Sequence, residues 1–187
     1  MKKNKLYSFT KTASRVLQII LIVAAVLCVA CGVIVRIAVS DSLLDFVKQQ
    51  VLEGNISVSE IGMSLEEFSK LGDVRTVGVL GCLYGFICTT LGSLIFGNIY
   101  KVFKNIEKDM TPFTKENVRL IKNIGIYAIV SPFVGGVISI IMAIIFKSPN
   151  FKATIDVTTL FMGFVVLCLS QFFAHGVELE DEVNGLL

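Results

Sequence analysis

The sequence predicts an all-α, polytopic membrane protein with four transmembrane helices and both ends in the cytoplasm. Four stretches of the 187-residue chain contain no Asp, Glu, Lys or Arg: residues 16–35, 76–100, 123–146 and 157–177. A helix needs about 20 apolar residues to cross roughly 30 Å of hydrocarbon, and all four stretches reach that length. Lipid offers backbone amides no partner, so each stretch must be helical. We therefore predict one domain over residues 1–187, with spans near 16–39, 76–100, 123–146 and 157–177.

The orientation is predicted by the distribution of basic residues. Eleven of the 17 Lys and Arg residues lie before the first span or in the inner loop 101–122, at positions Lys2, Lys3, Lys5, Lys11, Arg15, Lys101, Lys104, Lys108, Lys115, Arg119 and Lys122. Lys and Arg accumulate on the cytoplasmic face, so the N-terminus is predicted inside and four crossings return the C-terminus inside. These clusters suit anionic lipid headgroups, so the expected partner is the bilayer and no direct binding of nucleic acid is expected.

The first span has an alternative interpretation as a secretory signal, because lysines precede an apolar run. That run is 20 residues long, against the usual 7–15 of a signal sequence. Arg36 also interrupts the stretch before the candidate cleavage site. We therefore interpret the segment as a retained span.

The outer loop, residues 40–75, is predicted to contain short helices. Ser42 with Asp45 forms a capping box for a helix that Gly54 ends, and Ser64 with Glu67 forms a second box. Alternation at 55–59 indicates a short strand. The loop is either an outward ligand-sensing cap or a pair of amphipathic helices on the outer rim of the bundle.

The inner loop, residues 101–122, is predicted to form a cytoplasmic helical hairpin. The second span continues as an amphipathic helix, Asp109 to Pro112 break it, and Thr114 caps the returning helix. The acidic C-terminal tail is predicted to continue the fourth span as a helix. Together these segments suggest a surface that binds a cytoplasmic partner, with candidate residues Phe103, Ile106, Thr114, Arg119, Glu178 and Glu182.

Glycines crowd the second span at Gly78, Gly81, Gly85 and Gly92. Small residues allow helix backbones to approach closely within a membrane, where no hydrophobic effect drives helices together. We predict a tight seam between the first two spans, with homodimerisation through the same face as the alternative.

No residue pattern indicates catalysis, a metal or a cofactor. Cys28 and Cys31 form a CxxC pair, but it lies near mid-span without a cation to stabilise a thiolate. His175 is the only histidine, and with Glu178 it falls short of the four ligands of a structural zinc site. The spans carry no Asp, Glu, Lys or Arg except Arg36 at the edge of the first, which counts against ion-coupled transport by this chain alone. We expect a non-enzymatic protein.

Two inner segments carry a family resemblance. Residues 112–119 read Pro-Phe-Thr-Lys-Glu-Asn-Val-Arg, and residues 172–182 read Phe-Phe-Ala-His-Gly-Val-Glu-Leu-Glu-Asp-Glu. The chain resembles a bacterial family of uncharacterised four-span membrane proteins, domain of unknown function 2975, although its last five residues depart from that family's usual ending. The resemblance implies a multi-pass protein of the bacterial cytoplasmic membrane. Genes of such families often lie beside a small helix-turn-helix repressor gene, which implies a DNA-binding regulator as cytoplasmic partner.

Three classes of function remain open at this point. The chain is a regulatory or sensory protein that binds a cytoplasmic regulator, an immunity or envelope-protection protein against a membrane-active peptide, or a transport component that needs another subunit. Deleting the outer loop distinguishes the regulatory function from the immunity function, because the deletion should spare binding of the regulator and abolish immunity.

Overall fold

The computed structural model describes residues 5–55, 73–109, 111–146 and 156–185. Within these residues every regular element is a helix: α1 Lys5–Ile37, α2 Asp41–Leu52, α3 Val74–Asp109, α4 Lys115–Phe146 and α5 Val157–Gly185. Four of them, α1, α3, α4 and α5, are long and apolar enough to cross a membrane. The shortest, α5, has 29 residues, which at 1.5 Å per residue is about 43 Å. The prediction of an all-α chain with four membrane-length helices is confirmed.

The long helices expose apolar side chains on their outer surfaces. Val26 of α1 is 64% exposed, Ile144 of α4 is 71% exposed and Phe161 of α5 is 65% exposed. Water-soluble proteins rarely expose contiguous apolar surface on this scale, whereas lipid tails solvate it without cost. The surface fits a multi-pass membrane protein.

Helices α3, α4 and α5 extend beyond their charge-free stretches at the ends that were predicted to be cytoplasmic. Helix α3 continues to Asp109, α4 begins at Lys115, and α5 continues to Gly185. Thr114 caps α4 as predicted, because its Oγ1 accepts a hydrogen bond from the Asn117 backbone N–H at 3.2 Å. Each arm of the hairpin is therefore continuous with a span: one arm with the second span in α3, the other with the third span in α4.

The chain divides into two compact units, and the divisions fall within α1, α3 and α4. The first unit contains Met1–Ile22, Thr90–Ser131 and Val157–Leu187, and the second contains Val23–Thr89 and Pro132–Asp156. In the second unit Val51 of α2 packs in one buried cluster with Val77, Ile138 and Met142. The first unit buries Leu120 and Val177, together with the polar Asn117.

Pro132 lies inside α4 and has no N–H to donate to the Ala128 carbonyl one turn earlier. The Ser131 hydroxyl donates to that carbonyl instead, at 3.1 Å. The neighbouring side chain thus satisfies the acceptor that proline leaves open, and the helix continues to Phe146.

The predicted start of the outer-loop helix was wrong by two residues. Helix α2 begins at Asp41 with Ser40 at the N-cap, so Ser42 lies inside the first turn. The cause is Arg75, whose guanidinium donates to the Val39 carbonyl at 2.9 Å and pairs with the Asp41 carboxylate at 3.2 Å. The predicted end at Gly54 is confirmed, since this residue has φ +80°. The second capping box at 64–67 and residues 56–59 of the strand lie outside the described residues.

Candidate partner-binding surface at the hairpin and C-terminal helix

Asn117 holds the turn between α3 and α4 together. Its side chain is fully buried. The Asn117 Nδ2 donates to the Pro112 carbonyl at 3.2 Å, and its Oδ1 accepts from Asn105 Nδ2 of α3 at 3.1 Å. One amide therefore links both arms of the hairpin to the turn, and burial makes each of these bonds costly to lose.

Phe113 attaches the turn to α5. Its ring lies 5.7 Å from the Phe173 ring, centroid to centroid. It also occupies the space beside Gly176, where an added Cβ would overlap the ring. A side chain at position 176 would therefore displace the Phe113 ring.

Two polar contacts join the hairpin to the acidic tail. The Thr111 hydroxyl donates to Glu180 Oε2 at 2.9 Å, and Lys115 Nζ lies 3.3 Å from Asp181 Oδ2. Between them Val177 is buried on the same side of α5. The Lys115–Asp181 pair is exposed, so it contributes at most about 1 kcal/mol. The apolar part of the attachment is the packing of the Phe113 ring on Phe173 and Gly176.

The N-terminal turns of α1 cover the other side of α3. The Tyr7 ring packs edge-on against the Phe103 ring at 5.1 Å, and its hydroxyl donates to the Phe103 carbonyl. Lys11 pairs with Glu107 one turn further along. These contacts place the aromatic face of the hairpin against the protein's own N-terminal segment.

The six predicted partner-binding residues fall into two groups. Phe103 and Ile106 are half-buried, and Thr114 is occupied as the cap of α4. Arg119, Glu178 and Glu182 are exposed. Phe103 is therefore partly buried within the protein, whereas Arg119, Glu178 and Glu182 lie on its surface.

The exposed side of the C-terminal helix carries a stripe that the sequence interpretation missed. Leu179 is 63% exposed and Val183 is 58% exposed, and they lie one turn apart on α5. Glu178 and Glu182 flank them on the same side of the helix, opposite buried Val177. We call these four residues the tail stripe. The Val and Leu spacing of the tail predicts a helix, but which side of that helix is exposed depends on how α5 packs on the hairpin.

The chain was compared with known proteins. Residues 66–184 match the sequence model of a family described as "Protein of unknown function (DUF2975)". The chain belongs to this family. No curated protein and no solved structure matches it at a significant level.

The DUF2975 match covers the hairpin and the tail stripe, and it begins after α2. The two segments that carried the resemblance in the sequence meet in space, since Phe113 of the first packs on Gly176 of the second. In this DUF2975 chain the motif therefore has a packing explanation: Phe113 docks α5, Thr114 caps α4 and Asn117 closes the turn.

The glycine stripe of α3 faces α1 at three of its four positions. A Cβ added at Gly78 would lie 3.2 Å from Val35, at Gly85 3.1 Å from the Cys28 thiol, and at Gly92 3.1 Å from Leu21. Among the described residues nothing lies within 4 Å of a Cβ added at Gly81. Gly81 is therefore not part of this packing.

A closer approach joins α4 and α5, and the sequence analysis did not identify it. A Cβ added at Gly163 would lie 2.9 Å from the Ile129 backbone nitrogen, and one at Gly125 would lie 3.1 Å from the Gly163 carbonyl oxygen. Backbone atoms cannot move aside as a flexible side chain can. These two glycines therefore allow the backbones of α4 and α5 to approach closely.

Proposed function

We propose that this DUF2975 chain is a non-enzymatic regulatory protein that holds a soluble, DNA-binding regulator at the cytoplasmic membrane. In this proposal both termini are cytoplasmic and the tail stripe is the docking surface. The observation that carries it is that the end of α5 has two different sides: one is fixed to the hairpin through Gly176 and Glu180, while Leu179 and Val183 on the other are exposed.

The chemistry of the stripe suits a helix-in-groove interaction. Apolar residues one turn apart on a rigid helix are the anchors that such complexes use. Glu178 and Glu182 add negative charge beside the anchors. Proteins that bind DNA carry basic surfaces, so a regulator of the helix-turn-helix class offers complementary charge.

The attachment of α5 to the hairpin also favours docking at the tail stripe. The hairpin fixes α5 through the Phe113 ring and through Thr111, so the stripe is presented without a large ordering cost on binding. Phe103 and Ile106 serve in this proposal as part of the scaffold.

The test is co-purification from native membranes with matched charge variants. The stripe variant carries Glu178→Gln and Glu182→Gln, and the control variant carries Glu116→Gln and Asp45→Asn, two exposed acids away from the stripe. A second stripe variant, Leu179→Ser with Val183→Ser, removes the anchors. The parent and the control should retain a cytoplasmic protein that shifts DNA in a gel, and both stripe variants should lose it.

Two results would overturn the proposal. One is the absence of any DNA-binding protein with the parent. The other is equal retention of that protein by the parent, the control and both stripe variants.

A further inference from the structure

Helix α2 has an apolar side, and among the described residues only the part of it around Val51 is covered by protein. Val51 is 2% exposed and packs with Val77, Ile138 and Met142. On the rest of this side, Leu43 is 56%, Phe46 is 58% and Val47 is 39% exposed. Positions 43, 46 and 47 follow the spacing of one helix face.

Both ends of α2 lie at the ends of membrane-length helices. At its start Arg75 of α3 binds Asp41 and donates to the carbonyls of Val39 and Arg36 at the end of α1. At its last turn Val51 contacts the cluster that includes Met142, one turn before the end of α4. The helix is therefore held beside the ends of three membrane-length helices, α1, α3 and α4.

The exposed apolar side of α2 follows closely after exposed apolar residues at the end of α1. Ile34 is 53% exposed and Ile37 is 77% exposed on the last turns of α1. Only three uncharged residues separate Ile37 from α2. An apolar side next to lipid-facing residues, with polar residues opposite, is the pattern of a helix that lies in the membrane interface.

We propose that α2 is an interfacial helix that inserts Leu43, Phe46 and Val47 among the lipids at the outer boundary of the bilayer. The opposite side, with the exposed Asp45, faces water. Helices of this kind bury their apolar side about 5–10 Å into the boundary between headgroups and acyl chains. The occupant of this surface is therefore phospholipid. This inference depends on the second unit alone and stands apart from the tail stripe.

The chain contains no tryptophan, so a single introduced indole reports on one position. The full-length Phe46→Trp variant is reconstituted in phosphatidylcholine vesicles, with and without lipids brominated near the headgroup end of the acyl chains. Bromine should remove most of the emission, and aqueous iodide should remove little. The matched control is Asp45→Trp on the opposite, polar side, whose emission iodide should quench strongly and bromine only weakly. Leu43→Trp provides a second reporter if Phe46→Trp does not fold.

Two outcomes would contradict the inference. Strong iodide quenching of Phe46→Trp and Leu43→Trp would show a helix face in water, as a ligand-sensing cap requires. Protection of both indoles from bromine and iodide alike would show that protein covers the face, as in a dimer.

Discussion

At the scale of single residues, two polar side chains fix the ends of helices. Asn117 is buried and bonds to both arms of the hairpin. Asp73 caps α3 at the opposite end, where its carboxylate accepts hydrogen bonds from the hydroxyl and the backbone N–H of Thr76. Each decides where a membrane helix begins or turns.

Replacing Asn117 with Ala should destabilise the protein by about 1–3 kcal/mol, because Asn105 Nδ2 and the Pro112 carbonyl lose their partner. Reversible unfolding in mixed detergent micelles measures the loss. The control is Glu116→Ala, an exposed neighbour in the same turn, which should change stability by less than about 0.5 kcal/mol. Equal stability of the Asn117→Ala variant and the parent would show that the turn does not depend on this amide.

Asp73 makes part of the stability depend on pH. The hydrogen bond from the Thr76 hydroxyl, followed by that from the Thr76 backbone N–H, lowers the pKa of Asp73 below its usual value. A lowered folded-state pKa means that the cap contributes fully above the unfolded-state pKa of about 3.9. The contribution is lost as the pH falls through the lowered folded-state pKa.

Asp73→Ala should therefore cost about 1 kcal/mol at pH 7, the usual value of a lost N-cap. That difference from the parent should shrink once the pH falls below about 4. Unfolding curves at both pH values measure it, and Asp73→Asn, which retains an acceptor, is the control. A difference between Asp73→Ala and the parent that does not change with pH would contradict this origin of the cap's stability.

At the scale of helices, glycine positions decide which spans approach closely. Gly85 faces the Cys28 thiol of α1 across 3.1 Å, measured from an added Cβ. Gly81 lies on the same helix one turn earlier and has open space beside it among the described residues. A larger side chain should therefore disturb the packing at position 85 and leave it unchanged at position 81.

Gly85→Leu should force α1 and α3 apart and lower the yield of folded, monodisperse protein in detergent. Overpacking of this kind costs roughly 1–3 kcal/mol. Gly81→Leu, with the same change in volume and helix propensity, should behave like the parent. Size-exclusion profiles and thermal unfolding of both variants are the measurement. Equal behaviour of the two variants would rule out a seam centred on Gly85.

The sequence predicted the helices better than their contacts. The spans follow from local charge-free stretches, and Thr114 was identified as a cap because capping depends on neighbouring residues. Asn117 could not be identified as buried, because its partner Asn105 belongs to the other arm of the hairpin. The Gly125–Gly163 contact joins two different spans, so no local pattern indicates it. Ser40 was missed as a cap because a distant side chain, Arg75, fixes the start of α2.

At the scale of the whole molecule, the proposals depend on the sides of the membrane that the loops occupy. The hairpin turn and the tail stripe belong to the first unit, and α2 belongs to the second. Basic residues are in excess near the hairpin and the N-terminal segment, which favours a cytoplasmic location for the loops of the first unit. A regulator can reach the tail stripe only if that orientation is correct.

The most direct test is labelling of single cysteines in a variant whose five native cysteines are replaced by alanine. Cysteine is introduced singly by Asn55→Cys, Glu116→Cys and Glu182→Cys, and intact cells are treated with a membrane-impermeant maleimide. The account predicts that Asn55→Cys is labelled in intact cells, while Glu116→Cys and Glu182→Cys are labelled only after the membrane is permeabilised. Labelling of Glu182→Cys in intact cells would contradict the orientation and, with it, the proposed cytoplasmic partner.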